Sequence, residues 1–370
     1  MLTILLTLIF LRPFISSLAF PYLNYIYCGL LLLFLGAWHI ARRSDIARIK
    51  GWGYPLGLFC LALILSLIFS SDIAVSLREI YKYAAAVLLL LVTALSSGEK
   101  EKGSILQALL LGAFLISLLA LYQYFFGFRN LLNYLRQENI NNAFALDYVT
   151  RRRVYLPFVT PNSLGGYLAM MIPLAAISKY KTLLLPPMLL AIFLTGSLGA
   201  LASLLLATLL YFYLKKSTGR RNAFYLGGIL IIIGLAFFLR LATLQPHAQP
   251  AFSAVMRLNY WRQTLEIIKS HPLAGVGMGN FNLTYARYAH NSYLQIWAEM
   301  GILGVLSIIW LVGYAVKNIG RDNRASLLLL TGVLTFALHN VVDFSFFLPE
   351  VAFIWWLILG LTLRSKRAAG

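Results

Sequence analysis

Charged residues are scarce in this chain, and acidic residues are the scarcest. Only 12% of the 370 residues are charged, and 31 Lys and Arg face 12 Asp and Glu. Soluble domains are about a quarter charged, whereas 60% of this chain is hydrophobic. The composition therefore excludes a soluble globular protein. It predicts an all-α polytopic membrane protein with a single integral membrane domain over residues 1–370.

Cysteine and processing signals are also nearly absent. Cys28 and Cys60 both lie in apolar runs, where a thiol packs as a small hydrophobic group, so we expect no disulfide scaffold. The N-terminus lacks a basic segment and an A-x-A cleavage site, and we interpret it as a first membrane segment. We find no internal repeat and no soluble domain, which places the function at the membrane.

The net charge of +19 does not indicate nucleic-acid binding, because the basic residues are dispersed between apolar spans. A membrane span needs about 20 apolar residues, and segments near that length predict about twelve helices. These segments are 2–20, 22–41, 52–70, 80–97, 104–126, 163–178, 182–196, 198–214, 223–243, 292–316, 325–342 and 350–364. Arg12 and Pro13 interrupt the first segment, and a tight turn at 195–197 separates two others.

The basic residues also predict the orientation. With the N-terminus in the cytoplasm, every inner loop carries Lys or Arg, as the positive-inside rule requires, and both termini lie inside. The outer side keeps a basic excess made mostly of arginine. Arginine recognises phosphate in a bidentate manner, so we predict an anionic ligand on that side. Contact with acidic lipid headgroups is the alternative.

Two outer loops are long, and long ordered loops commonly carry function. The first spans residues 127–162 and includes the run Arg151, Arg152 and Arg153, just before the sixth predicted span. The second spans residues 244–291. We expect a lipid-linked phosphate to lie near the arginine run, although a charge run is more usually a solvated face.

The second loop contains a predicted amphipathic helix at 254–269. An apolar face and a charged face alternate at helical spacing, which is typical of a helix lying on the membrane interface. The apolar face is Leu258, Trp261, Leu265 and Ile268, and the charged face is Arg262, Glu266 and Lys269.

A glycine-rich turn follows this helix, with Gly275, Gly277 and Gly279. It resembles a dinucleotide-binding fingerprint only in spacing, because no strand precedes it and no βαβ unit surrounds it. We predict a tight external loop with exposed backbone donors.

His290 stands two residues before the tenth predicted span. Asn291 or Ser292 can cap that helix, and Ser292, Gln295 and Glu299 share one face at i, i+3 and i+7. A polar stripe that runs from a histidine to a buried carboxylate at a membrane boundary favours a catalytic or ligand-positioning role for His290. We expect Glu299 to support the helix.

A second polar cluster comprises His339, Asn340 and Asp343 at the end of the eleventh span. His339 and Asp343 are four residues apart, which predicts one helical face. The spacing is not H-E-x-x-H and no cysteine assists, so we do not expect a metal site.

Four segments resemble the O-antigen ligase and polymerase superfamily. They are SSDIAVSL at 70–77, TPNSLGGYL at 160–168, the run 275–304 and HNVVDF at 339–344. The most specific is the pattern H-N-x-Y-L-x-x-x-x-E-x-G-x-x-G, which begins at His290 and ends at Gly304. The resemblance extends over about residues 52–360 and is carried by the order of the motifs.

The resemblance implies an enzyme of the bacterial inner membrane. Such proteins transfer a glycan from an undecaprenyl-pyrophosphate carrier to an acceptor saccharide at the periplasmic face, and for a ligase that acceptor is lipid A–core. Inversion at the anomeric carbon, without a metal or another cofactor, is also implied. His290 matches the histidine proposed as base or acceptor-positioning group, and Arg257 matches an arginine that holds the pyrophosphate. We assign Arg151–Arg153 to the same anion and supporting roles to Asn291, Glu299, His339, Asp343 and Arg262.

One departure concerns Leu198. Many family members have Ser-Arg-Gly where this chain has Ser197, Leu198 and Gly199. Either Arg151–Arg153 replace the missing arginine, or the chain handles a different donor. A polymerase that extends the carrier-linked glycan, a transporter of a lipid-linked anion and a non-catalytic scaffold are alternative interpretations. The transporter interpretation expects discontinuous helices near the membrane midplane.

Overall fold

The computed structural model describes residues 1–42, 49, 51–96, 98–138, 149–215, 227–228, 231, 234, 252–283 and 286–363. Helices are the regular elements of this part of the chain, and no strand occurs in it, which agrees with the all-α prediction. The α-helices are α1 (Leu2–Leu11), α2 (Pro21–Arg42), α3 (Gly53–Ile68), α4 (Ile73–Ser96), α5 (Glu99–Tyr122), α6 (Phe128–Gln137), α7 (Pro161–Ala175), α8 (Lys181–Leu194), α9 (Leu198–Leu214), α10 (Phe252–Ser270), α11 (Ser292–Asn318), α12 (Arg324–His339) and α13 (Pro349–Leu363).

Three described helical stretches are long and apolar enough to cross a membrane, namely Pro21–Ala41, Glu99–Leu135 and Ser292–Asn318. Shorter apolar helices make up most of the remaining bundle. Each predicted span falls on a described helix except 223–243, most of which lies outside the described residues. The number of spans, twelve, and the orientation stay predictions.

Helix α13 forms the centre of the bundle. It is apolar on all sides, and a helix of that kind is stable only when it is surrounded. All but one of its residues are buried, including Trp355 and Trp356. It packs against α4 and α12, while α12 also contacts α7 and α9. The ends of these helices bring distant parts of the sequence to one place.

The first long loop begins with a helix that the sequence analysis did not predict. Helix α5 continues through a π-helical turn at Gln123–Gly127 into α6. The reason is the helical spacing of Phe128, Leu132 and Leu135, of which Phe128 and Leu135 are buried. Residues 139–148 of this loop lie outside the described part.

Helix α11 is interrupted at Gly301, whereas the sequence predicted a continuous span. Gly301 has φ of +71° and ψ of −178°, a conformation that glycine adopts at low cost. The segment before α11 fills the break: the backbone N–H of Val276 donates to Ala298 O at 2.8 Å, and that of Gly277 donates to Glu299 O at 3.1 Å. The carbonyl groups freed by the break are thus satisfied inside the protein.

Helix α10 forms where the amphipathic helix was predicted, and one side of it packs inside the protein. Tyr260, Thr264 and Ile268 are buried, and α10 packs against α11. Leu258 and Leu265 of the predicted apolar face are exposed. The buried face is set by contact with α11 and with the residues before it, which periodicity alone does not reveal.

The structure also describes the two cysteines and Arg12, the arginine that interrupts the first predicted span. Cys28 and Cys60 are free thiols, and Cys28 is buried. Arg12 is not available to an external anion, because it is buried and its Nη2 lies 3.3 Å from Glu350 Oε2 and donates to Asn24 Oδ1 at 2.8 Å. A buried guanidinium needs such partners to offset its desolvation.

Candidate active site around His290

The glycine-rich loop is tied to the turn between α3 and α4. Asn280 Nδ2 donates to Ser70 Oγ at 2.9 Å, and Ser76 Oγ donates to Met278 O at 2.9 Å. Gly275 has φ of +74°, and a Cβ atom there would overlap the backbone of Glu299. The glycines are therefore loop architecture, as expected, and they bring the 70–77 and 275–304 segments into contact.

Glu299 is connected to the residue before His290 by a chain of hydrogen bonds. The backbone N–H of Gly279 donates to Glu299 Oε2 at 3.0 Å, and Gln295 Nε2 donates to Glu299 Oε1 at 2.9 Å. Gln295 Oε1 in turn accepts the backbone N–H of Ala289 at 3.1 Å. The predicted polar stripe is thus a buried relay from the glycine loop to the backbone beside His290, through Gln295.

Gln295→Leu is expected to break this relay and leave Glu299 Oε1 and the Ala289 N–H buried without a partner. Each such group costs about 1–3 kcal/mol, so thermal unfolding of the purified variant should shift downward. If the relay positions His290, the turnover rate should fall while the KM values stay near wild type. Gln107→Leu, at an exposed site on α5, is the matched control. Unchanged stability and turnover in Gln295→Leu would contradict this role.

His290 lies between two aromatic rings. Its imidazole stacks on Tyr260 with ring centroids 5.8 Å apart, and it meets the edge of Phe344 at 4.9 Å. Its backbone is in the left-handed region with φ of +53°, which is unfavourable by about 1–3 kcal/mol and is concentrated at functional sites. Its Nδ1 is buried and has no hydrogen-bond partner among the described residues.

The charges around His290 come from two predicted site residues. Burial lowers the pKa of His290 below its ordinary value of 6.5, Asp343 opposes this shift, and the positive charge of Arg257 adds to it. Arg257 is half-buried on α10, one turn before Tyr260. The charges of Arg257 and Asp343 therefore act on His290, and the imidazole is neutral at neutral pH.

We expect activity that depends on neutral His290 to be constant near pH 7 and to fall only on the acid side of 6.5. The lowered pKa means that protonation, and with it the loss of the base, begins at lower pH than for an ordinary histidine. Asp343→Asn removes the charge that raises this pKa, so the acid limb of the kcat/KM profile should move to still lower pH. A profile that Asp343→Asn leaves in place would contradict the assignment.

His339 and Asp343 meet, but not in the predicted way. Helix α12 ends at His339, so the two residues do not share a helical face. The chain turns instead and leaves His339 Nε2 3.5 Å from Asp343 Oδ2 and 3.2 Å from Asn162 O. Burial raises the pKa of Asp343, but His339, Ser345 and His290 together lower it, and the net shift is downward. The carboxylate is ionised at neutral pH.

Asn340 holds the start of α11 against this turn. Its backbone O accepts the Ser292 N–H at 2.9 Å, and its Oδ1 accepts from Ser292 Oγ at 2.7 Å and from the Phe346 N–H at 2.9 Å. Asn291 caps α11 by accepting the N–H groups of residues 293 and 294, as expected. This clamp sets the distance between His290 and Phe344.

Arg153 is the member of the arginine run that reaches this end of the bundle. Its Nε donates to Thr195 O at 2.9 Å, and its Nη2 donates to Asn162 Oδ1 at 3.2 Å. It therefore lies beside the turn that precedes Leu198, where the family resemblance leads one to expect an arginine. Arg151 is half-buried, and Arg152 is exposed with φ of +47°.

Arg262 is exposed on α10, and its charge acts on Glu266. It is on a different face from Arg257 and Tyr260, so the described contacts do not bring it to His290. Among the described residues, no group of three or more His, Cys, Asp and Glu side chains is arranged to hold a metal ion.

The aromatic surroundings of His290 are not predicted by any pattern in the sequence. Tyr288 stacks on Phe344 with centroids 4.3 Å apart, and burial raises the pKa of Tyr288 to about 12. Tyr260 was also missed. Its position three residues after Arg257 was the available signal, because residues at i and i+3 share a helical face.

These features define an all-helical protein of the membrane type with a half-buried histidine in a left-handed conformation at one end of the bundle. Residues 183–309 match the family model described as O-antigen ligase. The match covers less than half of the chain, from within α8 to within α11, and includes Arg257, His290 and Glu299. No curated protein matches the chain. The match confirms the resemblance to the O-antigen ligase and polymerase superfamily, and it supports an enzyme.

Proposed function

We propose that this protein transfers a glycan from an undecaprenyl-pyrophosphate carrier to an acceptor saccharide at the periplasmic face of the bacterial inner membrane. The observation that carries this proposal is His290, which is half-buried between two rings in a left-handed conformation, with Arg257 and Asp343 acting on its charge. The O-antigen ligase match, which includes Arg257 and His290, supports the glycan substrate.

His290 acts as the base in this mechanism. Its neutral imidazole takes the proton from an acceptor hydroxyl while the hydroxyl oxygen attacks the anomeric carbon of the donor sugar. The bond from that carbon to the pyrophosphate oxygen breaks, and attack from the opposite face inverts the configuration. Asp343, ionised and near the ring, stabilises the imidazolium that forms.

Arginines stabilise the leaving pyrophosphate, whose negative charge grows as the bond breaks. Fixed positive groups are effective there because they need no reorganisation during the reaction. The charge of Arg257 acts on His290, and Arg153 is held by Thr195 and Asn162 at the end of the arginine run. We assign the pyrophosphate to these two residues, with Arg151 and Arg152 at its margin. The guanidinium groups supply the charge that a metal ion supplies elsewhere.

Lipid A–core is the acceptor we propose, and a polymerase remains the second candidate within the class. The purified protein in nanodiscs should be incubated with a defined undecaprenyl-pyrophosphate glycan and two acceptors, lipid A–core and a second carrier-linked unit. A glycosylated lipid A–core supports the ligase, whereas an extended carrier-linked chain supports the polymerase. No product with either acceptor overturns the transferase proposal.

If the protein were a transporter, we would expect a discontinuous helix. Helix α11 is discontinuous at Gly301. Its free carbonyl at Glu299, however, accepts hydrogen bonds from Gly277 N–H and from Ser66 Oγ, the latter at 2.7 Å. In transporters of this kind the freed carbonyls coordinate the transported ion. Here they bind the glycine loop, which favours a rigid support for His290 over an ion pathway.

A further inference from the structure

Helix α5 ends in a π-helical turn, Gln123–Gly127, in which the N–H of Phe128 donates to the carbonyl oxygen of Gln123. Turns of this kind are rare and frequently occur at functional sites. The i→i+5 hydrogen bond places Phe128 nearly above Gln123, whereas in an α-helix the two side chains would be about 140° apart. Both residues are buried, while Phe125 and Phe126 between them are exposed. The π-helical turn therefore directs Gln123 and Phe128 to the same part of the protein.

Gln123 and Phe128 hold the segment that follows the arginine run. Gln123 Oε1 accepts the backbone N–H of Tyr155 at 2.8 Å and that of Leu156 at 3.1 Å. The ring of Phe128 lies against the ring of Tyr155, with centroids 6.5 Å apart. Residues 154–156 belong to neither a helix nor a strand, so their backbone N–H groups need partners that regular secondary structure would otherwise supply. Gln123 supplies two of these partners and thereby fixes the path of the segment.

The same segment is held on its other side by the ends of two helices. The backbone N–H of Val154 donates to Leu194 O at 3.2 Å, at the end of α8. The guanidinium group of Arg153 donates to Thr195 O and to Asn162 Oδ1. The side chain of Arg153 and the backbone that follows it are therefore both held in place.

This support matters for the reaction because the leaving pyrophosphate gains negative charge. Fixed positive groups stabilise developing charge without reorganisation, and a displacement of about 1 Å can cost on the order of 10²-fold in rate. Within the arginine run, Arg153 adjoins the held segment, whereas Arg152 is exposed. A planar guanidinium group binds phosphate in a bidentate manner only in a suitable orientation, and the backbone next to Arg153 sets that orientation.

We propose that Gln123 is a positioning residue for the donor pyrophosphate. By fixing residues 154–156, it holds Arg153 in the orientation in which the guanidinium group binds the phosphate oxygens. This inference rests on the proposed function for the assignment of the pyrophosphate to Arg153. It adds to that function a buried residue of the π-helical turn, which reaches the site only through the segment it holds.

Gln123→Leu tests the proposal by the binding of inorganic pyrophosphate to the purified full chain in nanodiscs. Leucine is apolar and accepts no hydrogen bond, so the N–H groups of Tyr155 and Leu156 lose their partner. We expect the Kd for pyrophosphate to rise about tenfold or more, as for the loss of one hydrogen bond to a charged group. Gln107→Leu, at an exposed site on the same helix, is the matched control and should leave the Kd unchanged.

A double-mutant cycle with Arg153→Ala distinguishes positioning from a general structural role. If Gln123 acts through Arg153, Gln123→Leu should weaken pyrophosphate binding no further once Arg153 is alanine. A Kd for the double variant that rises by the product of the two single factors would overturn the proposal. Wild-type binding by either single variant, or no pyrophosphate binding by the wild type, would do the same.

Phe128→Leu is a second variant that keeps both hydrogen bonds of Gln123 and removes only the ring contact with Tyr155. Pyrophosphate binding should weaken by a smaller factor than in Gln123→Leu. Phe125→Leu, at an exposed phenylalanine of the same turn, is its control. Thermal unfolding shows which variants retain the fold. If Gln123→Leu does not fold, unchanged pyrophosphate binding in Phe128→Leu overturns the proposal.

Transfer kinetics separate failure of this inference from failure of the proposed function. With the carrier-linked glycan, Gln123→Leu should raise the KM for the donor and leave the KM for the acceptor at the wild-type value. Wild-type transfer with an unchanged donor KM in Gln123→Leu would refute the positioning role and leave the transferase in place. If the wild type transfers nothing, the proposed function fails, whereas weaker pyrophosphate binding that depends on Arg153 still supports the role of Gln123.

Discussion

Replacement of His290 by alanine is expected to lower the rate of glycan transfer by about 10²–10⁴-fold, the contribution of a positioned general base. The acceptor hydroxyl then has no group to take its proton, while the arginines that hold the pyrophosphate are untouched. The initial rate should be measured in nanodiscs with a defined carrier-linked glycan. Donor binding, measured separately with the same variant, should be close to wild type.

Two further variants show that such a loss is chemical. Asparagine tolerates the left-handed conformation better than alanine, so His290→Asn preserves the backbone while removing the base, and it should be as inactive as His290→Ala. His271, an exposed histidine at the end of α10, is the matched control, and His271→Ala should retain full activity. Wild-type transfer by His290→Asn would remove His290 from the mechanism.

Replacement of Arg257 by alanine is expected to reduce the turnover rate by about 10²–10³-fold, as for the removal of one preorganised group that faces developing charge. Arg257→Lys keeps the charge but not the planar fork, so it should recover only part of this loss. A second effect follows from the charge of Arg257, which lowers the pKa of His290. In Arg257→Ala that pKa rises, and the acid limb of the kcat/KM profile should move to higher pH.

The shift of the pH profile distinguishes two causes of lost activity in Arg257→Ala. Only the loss of a charge that acts on His290 moves the acid limb, whereas a general loss of structure does not. Lys269→Ala, which removes an exposed cation near the end of the same helix, should change neither turnover nor the acid limb. Loss of activity in Arg257→Ala without any movement of the acid limb would mean that the residue does not act next to His290. Normal turnover in Arg257→Ala would place the pyrophosphate elsewhere, with Arg153 as the first candidate.

The helices of this protein were readable from the sequence because a membrane span has a simple signature, a run of about 20 apolar residues. In helix α11 that signature predicts the span but not the break inside it. Its hydropathy does not reveal the break at Gly301, because the break depends on the loop before the helix, where Val276 and Gly277 donate their N–H groups to the freed carbonyls. The donor and acceptor residues are close in space, but no periodic pattern in the sequence connects them.

For the arginines, too, the sequence gives part of the answer and the packing of the helices gives the rest. Their abundance in the predicted outer loops indicated an anionic ligand, but not which of them faces it. The structure pairs Arg12 with Glu350, leaves Arg152 and Arg262 exposed, and holds Arg153 on Thr195 and Asn162. A guanidinium group is carried on a long flexible stem, so its partner is set by the packing of whole helices.

The sequence alone determined the membrane character, the all-α class and the resemblance to the O-antigen ligase superfamily, and it predicted His290 and Arg257 as site residues. These follow from composition and from short contiguous motifs. Only the tertiary structure decided the aromatic surroundings of His290 and the relay through Gln295 to Glu299. Each of these joins a helix to another helix or to a loop, and such contacts depend on how those segments pack.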